Sequence, residues 1–188
     1  STFTGLDSIN GGGGADILNL NILSGGALPS VTVNNIPTLN IRSAVSLGGD
    51  VSGYTNLATV NVTTGTAITA LTAATTTAIN VSGVTGAVTA NGGSTQTVST
   101  SGGAVSLGGT TAAAGAISVT HTAQAANTIS VDGGTTVNVT SSGRAATGTI
   151  IVGSATKPTD AITVTATGSD YVADLATGIT LAGITTNG

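Results

Sequence analysis

A three-residue unit, apolar–x–apolar followed by Gly, Asn, Asp or Ser, recurs along most of this chain. Examples are Val31-Thr32-Val33, Leu39-Asn40-Ile41, Val60-Asn61-Val62, Ile79-Asn80-Val81, Ile117-Ser118-Val119, Ile129-Ser130-Val131, Val137-Asn138-Val139 and Ile162-Thr163-Val164. Alternate residues of a strand face opposite sides, so each unit turns two apolar groups inward and one small polar group outward. Helices are disfavoured, because Gly and β-branched residues interrupt every window and the good helix formers Glu and Met are missing.

The spacing of the units predicts how the strands stack. One series, Val60, Ile79, Val98, Ile117 and Val137, advances in steps of 19, 19, 19 and 20. A second, interleaved series, Ile68, Val88, Val105, Ile129 and Ile150, advances by 20, 17, 24 and 21. A period of about 20 with two strands per period predicts a coil of two short strands and two turns. The expected fold is therefore all-β: a right-handed parallel β-helix or β-roll-like solenoid, its stacked coils making two facing sheets. The competing fold is an antiparallel β-sandwich, whose strands recur every ~8–12 residues. The regular first series favours the solenoid; the uneven second series weakens it.

Segment 22–50, with Pro29 and Pro37, breaks the period and reads as a loop or an atypical end coil. Segment 153–160, with Lys157 and Pro158, reads as a long turn, and 72–77 as a turn into the Ile79 strand. Pairs such as Thr64/Thr66, Thr95/Thr97 and Thr163/Thr165 do not recur at the coil period, so no regular outward array is expected from them.

Composition removes several function classes. An apolar fraction of 39 % and a mean hydropathy of +0.44 are too high for a disordered chain. The cations are Arg42, Arg144 and Lys157, against seven acids that are all Asp; the net charge of −4 excludes ordinary nucleic-acid binding. Those scattered cations, with aromatic residues at 2 %, do not make a glycan-cleaving groove, and the single His121 has no credible triad, so no enzyme is expected. His121 also lacks a Cys or second His for zinc and reads as a surface or core residue. No cysteine is present to staple the fold, and no apolar run approaches the ~20 residues of a membrane span. The chain starts at Ser1, holds no Met and shows no leader pattern, as expected of a segment whose export signal is removed or lies elsewhere.

The most specific motif lies near the start. Gly11-Gly12-Gly13-Gly14-Ala15-Asp16-Ile17-Leu18-Asn19 matches the nonapeptide G-G-x-G-x-D-x-U-x at every fixed position, and Gly5-Leu6-Asp7-Ser8-Ile9-Asn10 matches its second half. Glycines permit the tight turn and gather backbone carbonyls, Asp adds a carboxylate, and Ca²⁺ takes six to eight such oxygens. The candidate calcium residues are therefore Gly5, Asp7, Gly11, Gly12, Gly14 and Asp16. Asp50, Asp132, Asp170 and Asp174 are secondary candidates and more ordinarily turn residues. Asp7 and Asp16 stand nine apart and should lie on opposite edges of a coil; the partner of Asp7 would fall near Ser24–Gly26, where no Asp occurs. The motif thus brings half-sites, and the competing role for each Asp is capping of backbone N–H groups in a glycine turn. Residues 1–19 form the calcium-type repeat and 20–188 the Thr/Gly/Ala-rich solenoid, with the irregular stretch at 22–50.

These nonapeptides resemble RTX repeats, the calcium-binding β-roll units of bacterial proteins exported by type I secretion. Over 20–188 the Thr/Ala/Gly/Val-rich composition resembles RTX-type S-layer proteins. The resemblance implies an extracellular structural component of a bacterial surface layer, ordered by Ca²⁺ and assembling with copies of itself into a lattice on the cell surface. Cell-surface polysaccharide is a further implied partner. The alternative is a stalk or ligand-binding segment of a large secreted RTX adhesin.

Overall fold

The alternation of apolar and polar residues produces strands wherever the units occur. The computed structural model describes residues 3–122, 126–144, 148–168, 172–175 and 181–187, and among these it has strands and turns but no helix. A small sheet at the N-terminal end pairs β1 (Ser8–Asn10) with β3 (Thr32–Asn34). One long sheet stacks β2 (Ile17–Ile22), β4 (Thr38–Ser43), β6 (Thr59–Thr64), β8 (Ala78–Val84), β10 (Gln96–Thr100), β12 (Ile117–His121), β14 (Val137–Arg144), β16 (Ile162–Gly168) and β18 (Leu181–Asn187). The other stacks β5 (Leu47–Asp50), β7 (Ile68–Ala73), β9 (Val88–Gly92), β11 (Val105–Leu107), β13 (Thr128–Val131), β15 (Thr149–Val152) and β17 (Val172–Leu175).

Neighbours in both long sheets pair in parallel, and each strand pairs with the equivalent strand one coil on. The chain crosses from one sheet to the other and returns one layer higher. This is a parallel β-helix of roughly 21 residues per turn, and the antiparallel sandwich is excluded.

The core is made of inward rows that run along the helix. Leu39, Val60, Ile79, Ile117, Val137 and Ile162 belong to one row, and Ile41, Val62, Val81, Val98, Val119, Val139 and Val164 to the next. Across the core stand Leu47, Ile68, Val88, Val105, Ile129 and Ile150. Each is at most 2 % exposed. Burying one such side chain contributes about 1.5–3 kcal/mol, so each coil is held chiefly by its neighbours. Branched aliphatics without rings suit this thin core.

The uneven second series is the true register. Ile68, Val88, Val105, Ile129 and Ile150 pair in succession. The steps of 17 and 24 differ chiefly in the connections between strands: β9 ends at Gly92 and β10 starts at Gln96, whereas β11 ends at Leu107 and β12 starts at Ile117. The even first series slips once. Gln96, not Val98, stands between Ile79 and Ile117, while Val98 pairs with Val81 and Val119 two residues further on. Gln96 is fully buried and its Nε2 donates to the Gly92 carbonyl at 2.8 Å. A glutamine in a core row is invisible to a search for apolar residues.

Segment 22–50, expected to be irregular, carries β3, β4 and β5. Ile17 pairs with Thr38 and Thr38 with Thr59, so the coils on either side of β4 are equal in length. Pro37 stands just before β4, where no N–H is needed, and its carbonyl accepts from the amides of Ala58 and Thr59 at 2.9 and 3.0 Å. The long turn at 153–160 is as expected; it separates β15 from β16 and lengthens the coil that runs from Val137 to Ile162. Of the expected 72–77 turn, Thr72 and Ala73 belong to β7, and 74–77 turns the chain into β8.

Outward residues align as regularly as the core. Asn19, Asn40, Asn61 and Asn80 form one row, and each amide donates to the one before it, at 2.9, 2.8 and 2.9 Å. Further on, Thr97/Ser99, Ser118/Thr120, Asn138/Thr140 and Thr163/Thr165 stack one pair per coil. A regular polar array therefore exists after all. It was hidden because Ser and Asn share the rows with Thr.

Candidate functional site

The glycine turn at 11–16 joins β1 to β2. Gly12 and Gly14 adopt φ of 78° and 127°, values that L side chains rarely take. A methyl group at Gly11 would run into the Asn35 carbonyl oxygen and the Asp16 carboxylate. The turn thus closes over Asp16 because its first residue lacks a Cβ. Beside it runs a second amide ladder. Asn10 Oδ1 accepts from the Gly12 amide at 3.0 Å and from Asn35 Nδ2 at 3.1 Å, and Asn56 Nδ2 donates to Asn35 Oδ1 at 2.7 Å. Asn35 and Asn56 sit at φ of 55° and 61°, left-handed positions that Asn tolerates. A hollow of about 250 Å³ opens between Gly12, Gly14, Asn35, Pro37 and Asn56.

Asp16 Oδ2 is enclosed and has no hydrogen-bond partner. A carboxylate oxygen left in that state is what a hard cation with carbonyl and carboxylate ligands would satisfy. Asp16 fits one edge of a calcium shell. The register sets Pro37 beside Asp16 and Val31 beside Asp7 on the next coil, so neither acid meets a second one there. Among the described residues no three His, Cys, Asp or Glu side chains cluster.

The other sequence candidates are spread along the helix. Gly5 and Asp7 belong to a turn in which the Asp7 amide donates to the Thr4 carbonyl at 3.0 Å and the Thr4 amide donates to Asp7 Oδ2 at 2.7 Å. Asp50 Oδ1 accepts from the Ser52 amide at 2.8 Å. Asp132, only 4 % exposed, accepts at Oδ1 from the Ala155 and Thr156 amides at 2.7 and 3.2 Å. These three carboxylates cap backbone donors. Asp174 lies in β17 opposite Ile151. Asp170 falls outside the described residues.

His121 ends β12 in an inward row between Thr100 and Ser141 and is fully buried. Its Nε2 lies 2.9 Å from the carbonyl oxygens of both Gly102 and Gly103, so that nitrogen carries the proton. The core alternative of the sequence reading is the observed one.

The outer face of the long sheet holds a groove of about 720 Å³ along Asn19, Asn40, Asn61 and Asn80, with Arg42 on its wall. Sequence reasoning passed over both amide ladders, although Asn19, Asn40 and Asn61 recur at one fixed interval, which separates Asn35 from Asn56 as well. That equal spacing was the available signal. No protein-family model matches this chain, and no curated protein matches it significantly.

Proposed function

We propose that this chain is a β-helical segment of an RTX-type bacterial surface-layer protein, which takes Ca²⁺ at its glycine turn and assembles with copies of itself outside the cell. The observation that carries this reading is Asp16 Oδ2, enclosed without a partner in a turn that matches the calcium nonapeptide. The outward rows of Asn, Thr and Ser support it. They offer neutral hydrogen-bonding groups with little charge repulsion, and Ca²⁺ would offset part of the net charge of −4. The role is structural and non-catalytic.

Electron microscopy with millimolar calcium and then with chelator tests the reading. Ordered arrays or oligomers are expected with calcium, dispersing with chelator, and Asp16→Asn should raise the calcium requirement. Identical monomers in both conditions reject the calcium part. A second reading, a ligand-binding segment of a secreted adhesin, is favoured by the groove on the long sheet, where Arg42 is exposed and its guanidinium makes no hydrogen bond or ion pair with the described residues.

A further inference from the structure

A second pocket, sharing no lining residue with the glycine turn, opens between the turns at 28–31 and 50–54 of adjacent coils. It measures about 330 Å³, at the small end of the ~300–1,000 Å³ typical of small-molecule sites. Leu28, Val31 and Tyr54 supply its apolar lining; Ser30, Asp50 and Ser52 supply polar groups.

Local structure sets those groups in place. Asp50 ends β5, and its Oδ1 accepts the Ser52 amide at 2.8 Å, which folds 50–52 into a tight turn and leaves Oδ2 without a protein donor among the described residues. The Tyr54 amide donates to the Val51 carbonyl at 3.1 Å, closing the next turn. Tyr54 is 6 % exposed, and its hydroxyl is enclosed with no hydrogen-bond partner. That hydroxyl is closed off as it stands, so Tyr54 contributes its ring to the lining and not a hydrogen bond.

The combination selects a ligand. A free carboxylate oxygen accepts hydroxyl protons, two serine hydroxyls donate or accept, and the aliphatic and aromatic lining suits C–H groups. An anion is repelled by Asp50, and a bare cation leaves the apolar lining unused. A neutral sugar ring presents hydroxyls at its edge and C–H groups on its face. We propose that this pocket binds one neutral pyranose residue, with Asp50 Oδ2 accepting from the sugar hydroxyls while Leu28, Val31 and the Tyr54 ring pack against its C–H groups. The site does not rest on calcium or on lattice assembly.

The test uses the full chain in chelator, titrated by calorimetry and saturation-transfer NMR with methyl glycosides of glucose, galactose and mannose. Free hexoses and short oligosaccharides ending in the same residue form two further arms. Binding by both places recognition in the single ring; binding by the oligosaccharide alone overturns the one-residue site. Saturable binding of at least one glycoside is expected. Asp50→Asn should weaken it about tenfold or more, the loss typical of a hydrogen bond to a charged group. Ser52→Ala, which removes a hydroxyl of the lining, should weaken it several-fold, and Asp16→Asn should leave it unchanged. Ser52→Ala carries the test alone if Asp50→Asn fails to fold. The proposal is overturned if no glycoside binds, if the foldable variants bind as the parent does, or if the pocket takes Ca²⁺ and no sugar.

Discussion

Replacing Asp132 by Ala should cost about 3 kcal/mol, because its carboxylate ties two successive coils together and hydrogen bonds to charged groups are among the stronger ones. The residue follows β13, is 4 % exposed, and accepts at Oδ1 from the amides of Ala155 at 2.7 Å and Thr156 at 3.2 Å in the long turn of the next coil. The Gly133 amide donates to the Thr156 carbonyl at 2.6 Å beside it. A hydrogen bond to a charged group contributes about 1.5–3 kcal/mol, and the longer of the two belongs at the weak end. Asp132→Asn keeps an acceptor oxygen and should cost about 1 kcal/mol. Stability in a solenoid is a sum over neighbouring coils, so the loss should appear locally. Chemical denaturation with hydrogen exchange at the Ala155 and Thr156 amides measures both parts. Asp132→Ala within about 0.5 kcal/mol of the parent, with both amides equally protected, would refute the capping role. A loss that vanishes in chelator would instead make Asp132 a calcium ligand.

The register between coils bears on other side chains too. Gln96→Leu should shift stability by no more than about 1 kcal/mol in thermal or chemical unfolding, because it removes the unpartnered Gln96 Oε1 from an otherwise aliphatic row but also takes the Nε2 donor from the Gly92 carbonyl. Asn61 both donates to Asn40 and accepts from Asn80, whereas Asn80 makes only the one amide bond of its ladder. Asn61→Ala should therefore cost about 1–2 kcal/mol, roughly twice the cost of Asn80→Ala; equal losses would deny that the ladder contributes. Burial first, and then the Asp50 carboxylate, hold the Tyr54 phenol above its ordinary 10.0. The folded state thus favours the neutral phenol. The stability this gives is complete below about pH 10 and is lost as pH rises through the folded value, because the unfolded chain ionises first. Tyr54→Phe should flatten that alkaline decline in denaturation curves; an unchanged slope assigns it to other groups.

The alternation Val60-Asn61-Val62 and its relatives determined, without any structure, that strands form, which of their residues turn inward and that the coils repeat with a near-constant period. Steric freedom at Gly12 and Gly14 likewise placed the turn around Asp16. Both are local effects, decided by neighbours in sequence. The offset between coils is not local. It depends on how many residues each turn consumes, and only the packed stack reveals this. Hence Gln96 entered a core row where Val98 was expected, and Thr97/Ser99 came to lie over Ser118/Thr120 and Asn138/Thr140. Hence also His121 went inward and Asp132 reached the amides of Ala155 and Thr156, one coil further along the chain. Strand identity follows from side-chain alternation, but the partners of a polar group follow from register between coils, and that is set by tertiary packing.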